Sequence, residues 1–244
     1  MSQALGRKQL IVMGAGAGLL AVALGVRQGM GFFLVPMTVD LEWSRELFGL
    51  AMAVQNLIWG AFQPIAGGLA DRYGSGKVIM GGGLLYAFGV LGMASAITPT
   101  ELLISGGVLI GLGMSGAGIS VVYGAVARLV VPEKRTYALA IVSTIGALGP
   151  FVLPKVTQVL IGGIGWEWSL LATAAVVTLM IPLGAMIRGK AIDEEGVAPQ
   201  SWTAALSFRC QNFGAAQRTR DPGIPAPRRL PRPLKQSRES VPDS

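Results

Sequence analysis

The 244-residue chain is 52% hydrophobic and only 14% charged, with a mean hydropathy of +0.57. Soluble domains carry about 25% charged residues, so this composition excludes an ordinary water-soluble domain and predicts a protein of the lipid bilayer. One cysteine and no histidine exclude an internal disulfide, a Cys/His metal site and histidine-based catalysis, and we expect no enzyme, metal or cofactor.

Six apolar segments follow one another along the chain, and each is long enough for a membrane span of about 20 residues. Three of them are longer than required, and prolines lie inside several, so we expect tilted or kinked helices. The sequence predicts an all-α integral membrane protein, with a six-helix transmembrane bundle over residues 10–190 after a short N-terminal segment, residues 1–9. The predicted spans are Leu10–Val39, Leu47–Ala70, Val78–Ile97, Leu102–Val131, Tyr137–Ile164 and Trp168–Ile187.

Basic residues are concentrated in alternate connections of this bundle. They precede the first span, join spans two and three and spans four and five, and follow span six, whereas the other connections are mostly acidic. By the positive-inside rule, both ends of the bundle are predicted to be cytoplasmic, in a bacterial inner (cytoplasmic) membrane. The basic residues are Arg7, Lys8, Arg72, Lys77, Lys134, Arg135, Arg188 and Lys190.

Three polar residues inside the spans are candidate substrate contacts. Arg27 lies near the middle of the first span, where a charge is costly unless it faces the bundle interior or a water-filled cavity. It is a candidate counter-charge for an organic anion, although an internally paired or snorkelling arginine is the alternative. Asn56 in span two and Tyr123 in span four are further candidates, and hydrogen bonding between helices is the simpler explanation for Asn56.

The connection between spans two and three reads GGLADRYGSGK over residues 67–77. A tight hairpin at the membrane surface needs glycine and charge for structural reasons alone. The pattern Gly67-x-Leu-Ala-Asp71-Arg72-x-Gly74 is more specific and resembles the signature loop of the major facilitator superfamily. Four further motifs support the resemblance: Trp43-Ser44-Arg45, Pro132-Glu133-Lys134-Arg135, Gly149-Pro150 and Gly165-Trp166-Glu167-Trp168.

The resemblance covers roughly residues 8–190 and is strongest to bacterial monocarboxylate and oxalate/formate-type carriers. It implies the N-terminal six-helix half of a transporter that works by alternating access between two such halves. It also implies a conformational latch at Asp71, with Arg72, Lys77 and either Arg128 or Arg135 as partners. One departure is that Gly107 occupies the place where many members have an arginine linked to proton coupling.

The C-terminal region differs in composition. Residues 191–206 read as a cytoplasmic linker, whereas residues 207–244 are rich in Pro, Arg and Ser and are expected to be disordered. The tail carries eight basic and three acidic residues, so it supplies +5 of the net charge of +7. Its basic residues are not interleaved with aromatics, so we expect no nucleic-acid partner. We expect a frameshifted end of a longer gene, with a natural disordered tail as the alternative.

Three functions are compatible with this sequence. The first is a truncated, inactive half of an organic-anion carrier, and the second is a half-transporter that acts as a homodimer or with a separate second half. The third is a membrane interaction protein without transport activity. Further apolar spans in another reading frame after codon 206 would support the first, and vesicle uptake by the purified chain would support the second.

Overall fold

The computed structural model describes residues 6–187, and these contain no strand. Short 3-10 turns cover Met30–Phe33 and Pro132–Lys134, and a π-helical stretch covers Leu103–Leu109. The predicted linker and tail, together with Arg188 and Lys190, lie outside the described residues. The α-helices of the described range are α1 (Arg7–Gly29), α2 (Leu34–Asp40), α3 (Arg45–Tyr73), α4 (Ser75–Ala94), α5 (Pro99–Leu102), α6 (Ile110–Ala117), α7 (Ile119–Leu129), α8 (Arg135–Gly146), α9 (Gly149–Ile164), α10 (Trp166–Thr178) and α11 (Met180–Met186).

The prediction of an all-α membrane protein is confirmed. Within residues 6–187, five helical segments are long and apolar enough to cross a bilayer. The second predicted span, α3, is not among these five; it is 29 residues long but less apolar, because it carries Gln55, Asn56 and Gln63 as well as charges at both ends. The five segments are Arg7–Asp40, Ser75–Ala94, Pro99–Leu129, Pro132–Ile164 and Trp166–Met186.

Prolines explain where several of these spans are interrupted. A proline ring clashes with the carbonyl four residues earlier and removes one backbone hydrogen bond. Helix α8 ends at Gly146, four residues before Pro150, and α10 ends four residues before Pro182. The 3-10 turn Met30–Phe33 likewise includes the residue four before Pro36. The three longest predicted spans, which are the first, fourth and fifth, are all interrupted. The sixth predicted span is also interrupted, before Pro182, although its length did not predict this.

Glycines allow helix backbones to touch at two crossings. A Cβ at Gly149 of α9 would lie 2.0 Å from the carbonyl oxygen of Ala21 in α1, and one at Gly25 would lie 2.6 Å from the carbonyl oxygen of Gly149. Between α4 and α6, a Cβ at Gly82 would lie 2.7 Å from the backbone nitrogen of Ala117. Such close approaches of small residues are typical of helix packing in membranes, where no hydrophobic force drives helices together.

The helix ends on the two sides of the bundle are fixed by local polar contacts. Ser44 caps α3, since its Oγ accepts a hydrogen bond from the backbone N–H of Leu47 at 3.2 Å. On the same side, the Nε1–H of buried Trp166 donates to Asp40 Oδ2 at 2.7 Å and joins the end of α2 to the start of α10. At the other end of α3, Gly74 has a φ of 94° and turns the chain directly into α4.

Candidate functional site

The charge predicted to lie inside the bilayer belongs to a three-residue cluster. Arg27 lies about 5 Å beyond the midpoint of the 34-residue span Arg7–Asp40. One of its Nη atoms donates a hydrogen bond to Asn56 Oδ1, and its Cζ lies 4.8 Å from the centroid of the Trp59 ring. The structure therefore brings together two of the predicted substrate contacts and adds an indole that stacks on the cation.

The orientation of Asn56 is set by its own helix. Its Nδ2 donates to the carbonyl oxygen of Met52 at 2.8 Å, which leaves Oδ1 as the acceptor for Arg27. The neighbouring Gln55 is buried and donates weakly to Met114 Sδ at 3.8 Å. Helix α3 thus turns Gln55 toward α6, while Asn56 is on its exposed side.

Two hydrogen-bond donors in the cluster have no acceptor within residues 6–187. Among the described residues, Arg27 Nε and Trp59 Nε1 are the buried side-chain nitrogen or oxygen atoms that lack a partner. Arg27 also forms no ion pair with an acidic side chain in the range 6–187. A buried donor without an acceptor is costly, so the cluster is suited chemically to a group that offers oxygen atoms and negative charge.

A break in the fourth span lies beside this cluster. Gly118 has ψ 179°, so α6 stops and α7 begins anew at Ile119. A Cβ at Gly118 would lie 2.5 Å from the carbonyl oxygen of Met114 and 3.4 Å from Trp59 Nε1. The new helix start within a membrane span carries backbone N–H groups without intrahelical partners and the positive end of a helix dipole. Sequence reasoning missed this break, because no proline marks it.

The third predicted contact, Tyr123, has a different partner. Its hydroxyl is hydrogen-bonded to Ser143 Oγ at 2.5 Å, which joins α7 to α8. Tyr123 is half-buried and makes no hydrogen bond to Arg27 or Asn56 in the described structure. Its role as a substrate contact stays a prediction, and Ser143 is a partner that the sequence did not indicate.

The turn at Gly74 holds a second polar cluster. Asp71, in the last turn of α3, forms an ion pair with Arg128 in the last turn of α7. Arg128 also donates from Nη2 to Ser75 Oγ at 2.5 Å. The two charged side chains are 69% and 35% exposed, and a small cavity of about 140 Å³ lies beside them. Asp71 therefore contacts Arg128, one of the partners that the resemblance implied.

The other residues assigned to the predicted latch lie near this pair without joining it. The guanidinium of Arg72 lies 5.4 Å from the centroid of the Tyr73 ring, and Lys77 is exposed on the first turn of α4. Gly67 has open space where a Cβ would be. Their part in a latch remains a prediction.

Comparison with known proteins finds relatives that are named as transporters. The monocarboxylate transporter 11 of Mus musculus is 26% identical over 197 residues, which are 78% of this chain and 42% of the relative. The monocarboxylate transporter 13 of Rattus norvegicus is 24% identical over 193 residues, or 78% and 44%. The putative niacin/nicotinamide transporter NiaP of Bacillus subtilis is 28% identical over 168 residues, or 69% and 41%. The chain thus spans less than half the length of these relatives.

The family model described as the Major Facilitator Superfamily matches residues 16–213, most of the chain. The match contains the Gly67–Gly74 turn, the ion pair of Asp71 with Arg128 and the cluster around Arg27. With its all-helical fold and apolar spans, the chain belongs to the Major Facilitator Superfamily of membrane transporters.

Proposed function

We propose that the chain is the N-terminal half of a carrier of small organic anions, with Arg27 as the counter-charge for a monocarboxylate. The observation that carries the proposal is the guanidinium Nε in mid-span, which, like the indole Nε1 of Trp59, finds no acceptor in the part of the chain that the structure describes. A carboxylate offers two acceptor oxygens and one negative charge, which match two free donors and one positive charge. Since an uncompensated charge inside a membrane is costly, such a ligand would lower the cost of holding Arg27 there.

The start of α7 strengthens the electrostatics of this site. In transporters with discontinuous helices, the positive ends of half-helices lie at the substrate near the bilayer midplane. Here the break at Gly118 is against Trp59 Nε1, so α7 contributes partial positive charge beside Arg27. Both features favour an anion over a cation or a neutral sugar.

The names of the relatives agree with an acidic ligand. Two of them are named for monocarboxylates and one for niacin and nicotinamide. Niacin is itself a carboxylic acid, and nicotinamide is the neutral compound of nearly the same shape. This pair provides a direct test of whether charge decides binding.

The experiment titrates the purified full chain in detergent with nicotinate or nicotinamide and follows tryptophan fluorescence. Nicotinate is expected to change the emission of Trp59, because its carboxylate accepts a hydrogen bond from the indole Nε1–H, and Trp59→Phe identifies that signal. Arg27→Gln keeps a hydrogen-bond donor but removes the charge, and it should weaken nicotinate binding about tenfold or more. Lys155→Gln, which removes an exposed charge on α9, is the matched control.

Two results would contradict the assignment. Equal affinity for nicotinate and nicotinamide would remove the counter-charge role, and so would an unchanged nicotinate affinity in Arg27→Gln. Absence of any acid binding, by nicotinate or by lactate, would instead favour the membrane interaction protein without transport activity.

The proposed transport cycle needs a second six-helix set, because the substrate site of such carriers lies between two repeats. It would come from a second copy of the chain, from a separate polypeptide or from further sequence of a longer protein. The mass of the purified chain in detergent and acid uptake into vesicles distinguish these cases. A monomer without uptake would exclude the homodimer.

We further propose that the pair of Asp71 with Arg128 is the latch that stabilises one state of this cycle. Its support is the link between the ends of α3 and α7 across the surface turn. Asp71→Arg should raise hydrogen exchange in residues 68–76, and the double variant with Arg128→Asp should lower it again. Failure of the charge swap to restore protection would remove the latch. The turn is proposed to be cytoplasmic, and reporter fusions at Gly74 test this orientation.

A further inference from the structure

We propose that a groove between α3 and α4 binds one acyl chain of an anionic phospholipid, whose headgroup lies at Lys77. The groove has a volume of about 390 Å³. Its rim on α3 includes Phe62, Ile65, Leu69 and Tyr73, and its α4 side includes Lys77 and Gly81. Helix α6 also lines the groove, and the hydroxyl of its Ser115 is hydrogen-bonded to backbone carbonyl oxygens. The remaining walls are apolar except at the Lys77 end, so the groove suits hydrocarbon with a charged group at one end.

The length of the groove corresponds to one leaflet of a bilayer. From Phe62 to Tyr73 the helix advances 11 residues, which is about 16 Å at 1.5 Å per residue. Half of a hydrocarbon core of about 30 Å is close to the same length. Lys77 lies three residues after the Gly74 turn, and a turn between spans must lie at the membrane surface. The groove therefore runs from the headgroup level to the bilayer centre.

The dimensions favour an acyl chain over a helix of another subunit. A helix about 10 Å wide would occupy about 1,250 Å³ over this length, three times the volume of the groove. The groove does contain buried small residues of the kind that helix contacts in membranes use, Ala66, Gly82 and Gly116, but the rim residues Phe62, Ile65 and Tyr73 are bulky and at least 40% exposed. A second helix could cover this groove but could not fill it.

Lys77 supplies the preference for an anionic headgroup. The acidic residue of the same turn, Asp71, pairs with Arg128, and among residues 6–187 no acidic side chain forms an ion pair with Lys77. A lysine near an anionic membrane surface contributes about 1 kcal/mol, which is about fivefold in binding. The inference depends on the chain lying in a membrane and is independent of the anion site at Arg27.

Native mass spectrometry of the full chain in detergent tests the site, with dioleoyl phosphatidylglycerol or dioleoyl phosphatidylcholine added at equal concentration. The wild-type chain should retain one phosphatidylglycerol about fivefold more than phosphatidylcholine. Lys77→Gln should remove this preference, whereas Lys8→Gln, an exposed lysine at the start of α1, should keep it. Gly81→Leu should reduce retention of both lipids, because a Cβ at Gly81 meets no atom within 4 Å and the larger side chain fills the groove.

Gly162→Leu is the matched control, since Gly162 is an exposed helical glycine of α9 with equal space around it. Equal lipid retention in Gly81→Leu and Gly162→Leu would overturn the site, and so would an equal loss of preference in Lys77→Gln and Lys8→Gln. A lipid-free dimer that Gly81→Leu dissociates would assign the groove to a second copy of the chain and would also overturn the proposal. Gel filtration of each variant confirms that it is folded, and Lys77→Gln leaves the groove itself unchanged.

Discussion

Replacing Gly149 by alanine should destabilise the bundle strongly, because the added methyl group meets backbone rather than side chain. Its Cβ would lie 2.0 Å from the carbonyl oxygen of Ala21 and 2.5 Å from the Cα and carbonyl carbon of the same residue. Ordinary contact begins near 3.4 Å, so α1 and α9 must separate locally by about 1.4 Å. Overpacking of a core costs about 1–3 kcal/mol. We expect a cost at the upper end of this range, because the backbone atoms of Ala21 cannot move aside by a change of rotamer.

The measurement is thermal unfolding in detergent, followed by the loss of the monodisperse peak in gel filtration. For a chain of this size, about 3 kcal/mol corresponds to a decrease in Tm of about 6–12 °C. Gly162→Ala in the same helix is the control, because no atom lies within 4 Å of its Cβ and alanine is the better helix former by about 0.5–1 kcal/mol. Equal unfolding temperatures for the two variants would refute the backbone contact between α1 and α9.

The remaining predictions concern other contacts of the bundle and use the same unfolding assay. Gly82→Ala should cost about 1–3 kcal/mol through its clash with α6, whereas the adjacent Gly81→Ala should not destabilise the bundle; the reverse order would contradict the crossing of α4 and α6. Trp166→Phe should cost about 1 kcal/mol or more through the lost hydrogen bond to Asp40, and Asp40→Asn, which keeps an oxygen acceptor, should cost less. Ser44→Ala should cost about 1 kcal/mol and raise hydrogen exchange at the start of α3, while Ser44→Asp preserves the cap; equal exchange in both variants would exclude the cap.

The sequence predicted the fold well because its main determinants are local. Apolar segments of sufficient length and their connecting turns indicate spans directly. Prolines indicate some of the interruptions, although Pro64 and Pro154 lie inside the continuous helices α3 and α9. The break at Gly118 was not predicted, since a glycine in a membrane helix is more often a packing residue than a helix end. No sequence pattern predicted the π-helical stretch Leu103–Leu109.

The candidate site was predicted only in part because it depends on how helices rotate and pair. The free-energy cost of a charge inside a membrane identified Arg27 as a residue that needs a polar environment. It did not indicate that Trp59 stacks on the guanidinium. Helix α3 carries polar residues on more than one face, so composition alone did not decide that Gln55 is buried and Asn56 exposed. Similarly, the motif identified Asp71, while its partner Arg128 is 57 residues away along the chain and was one of several candidates.

The crossing of α1 and α9 at Gly25 and Gly149 has a consequence for motion. A contact made of main-chain atoms has no rotamers to exchange, so one helix cannot slide past the other in small steps. Arg27 follows Gly25 by two residues. Its position along the bundle therefore depends on the fifth span as well as on the first. In the proposed transport cycle, the cation would move together with α1 and α9, and the surrounding helices would have to open and close access to it.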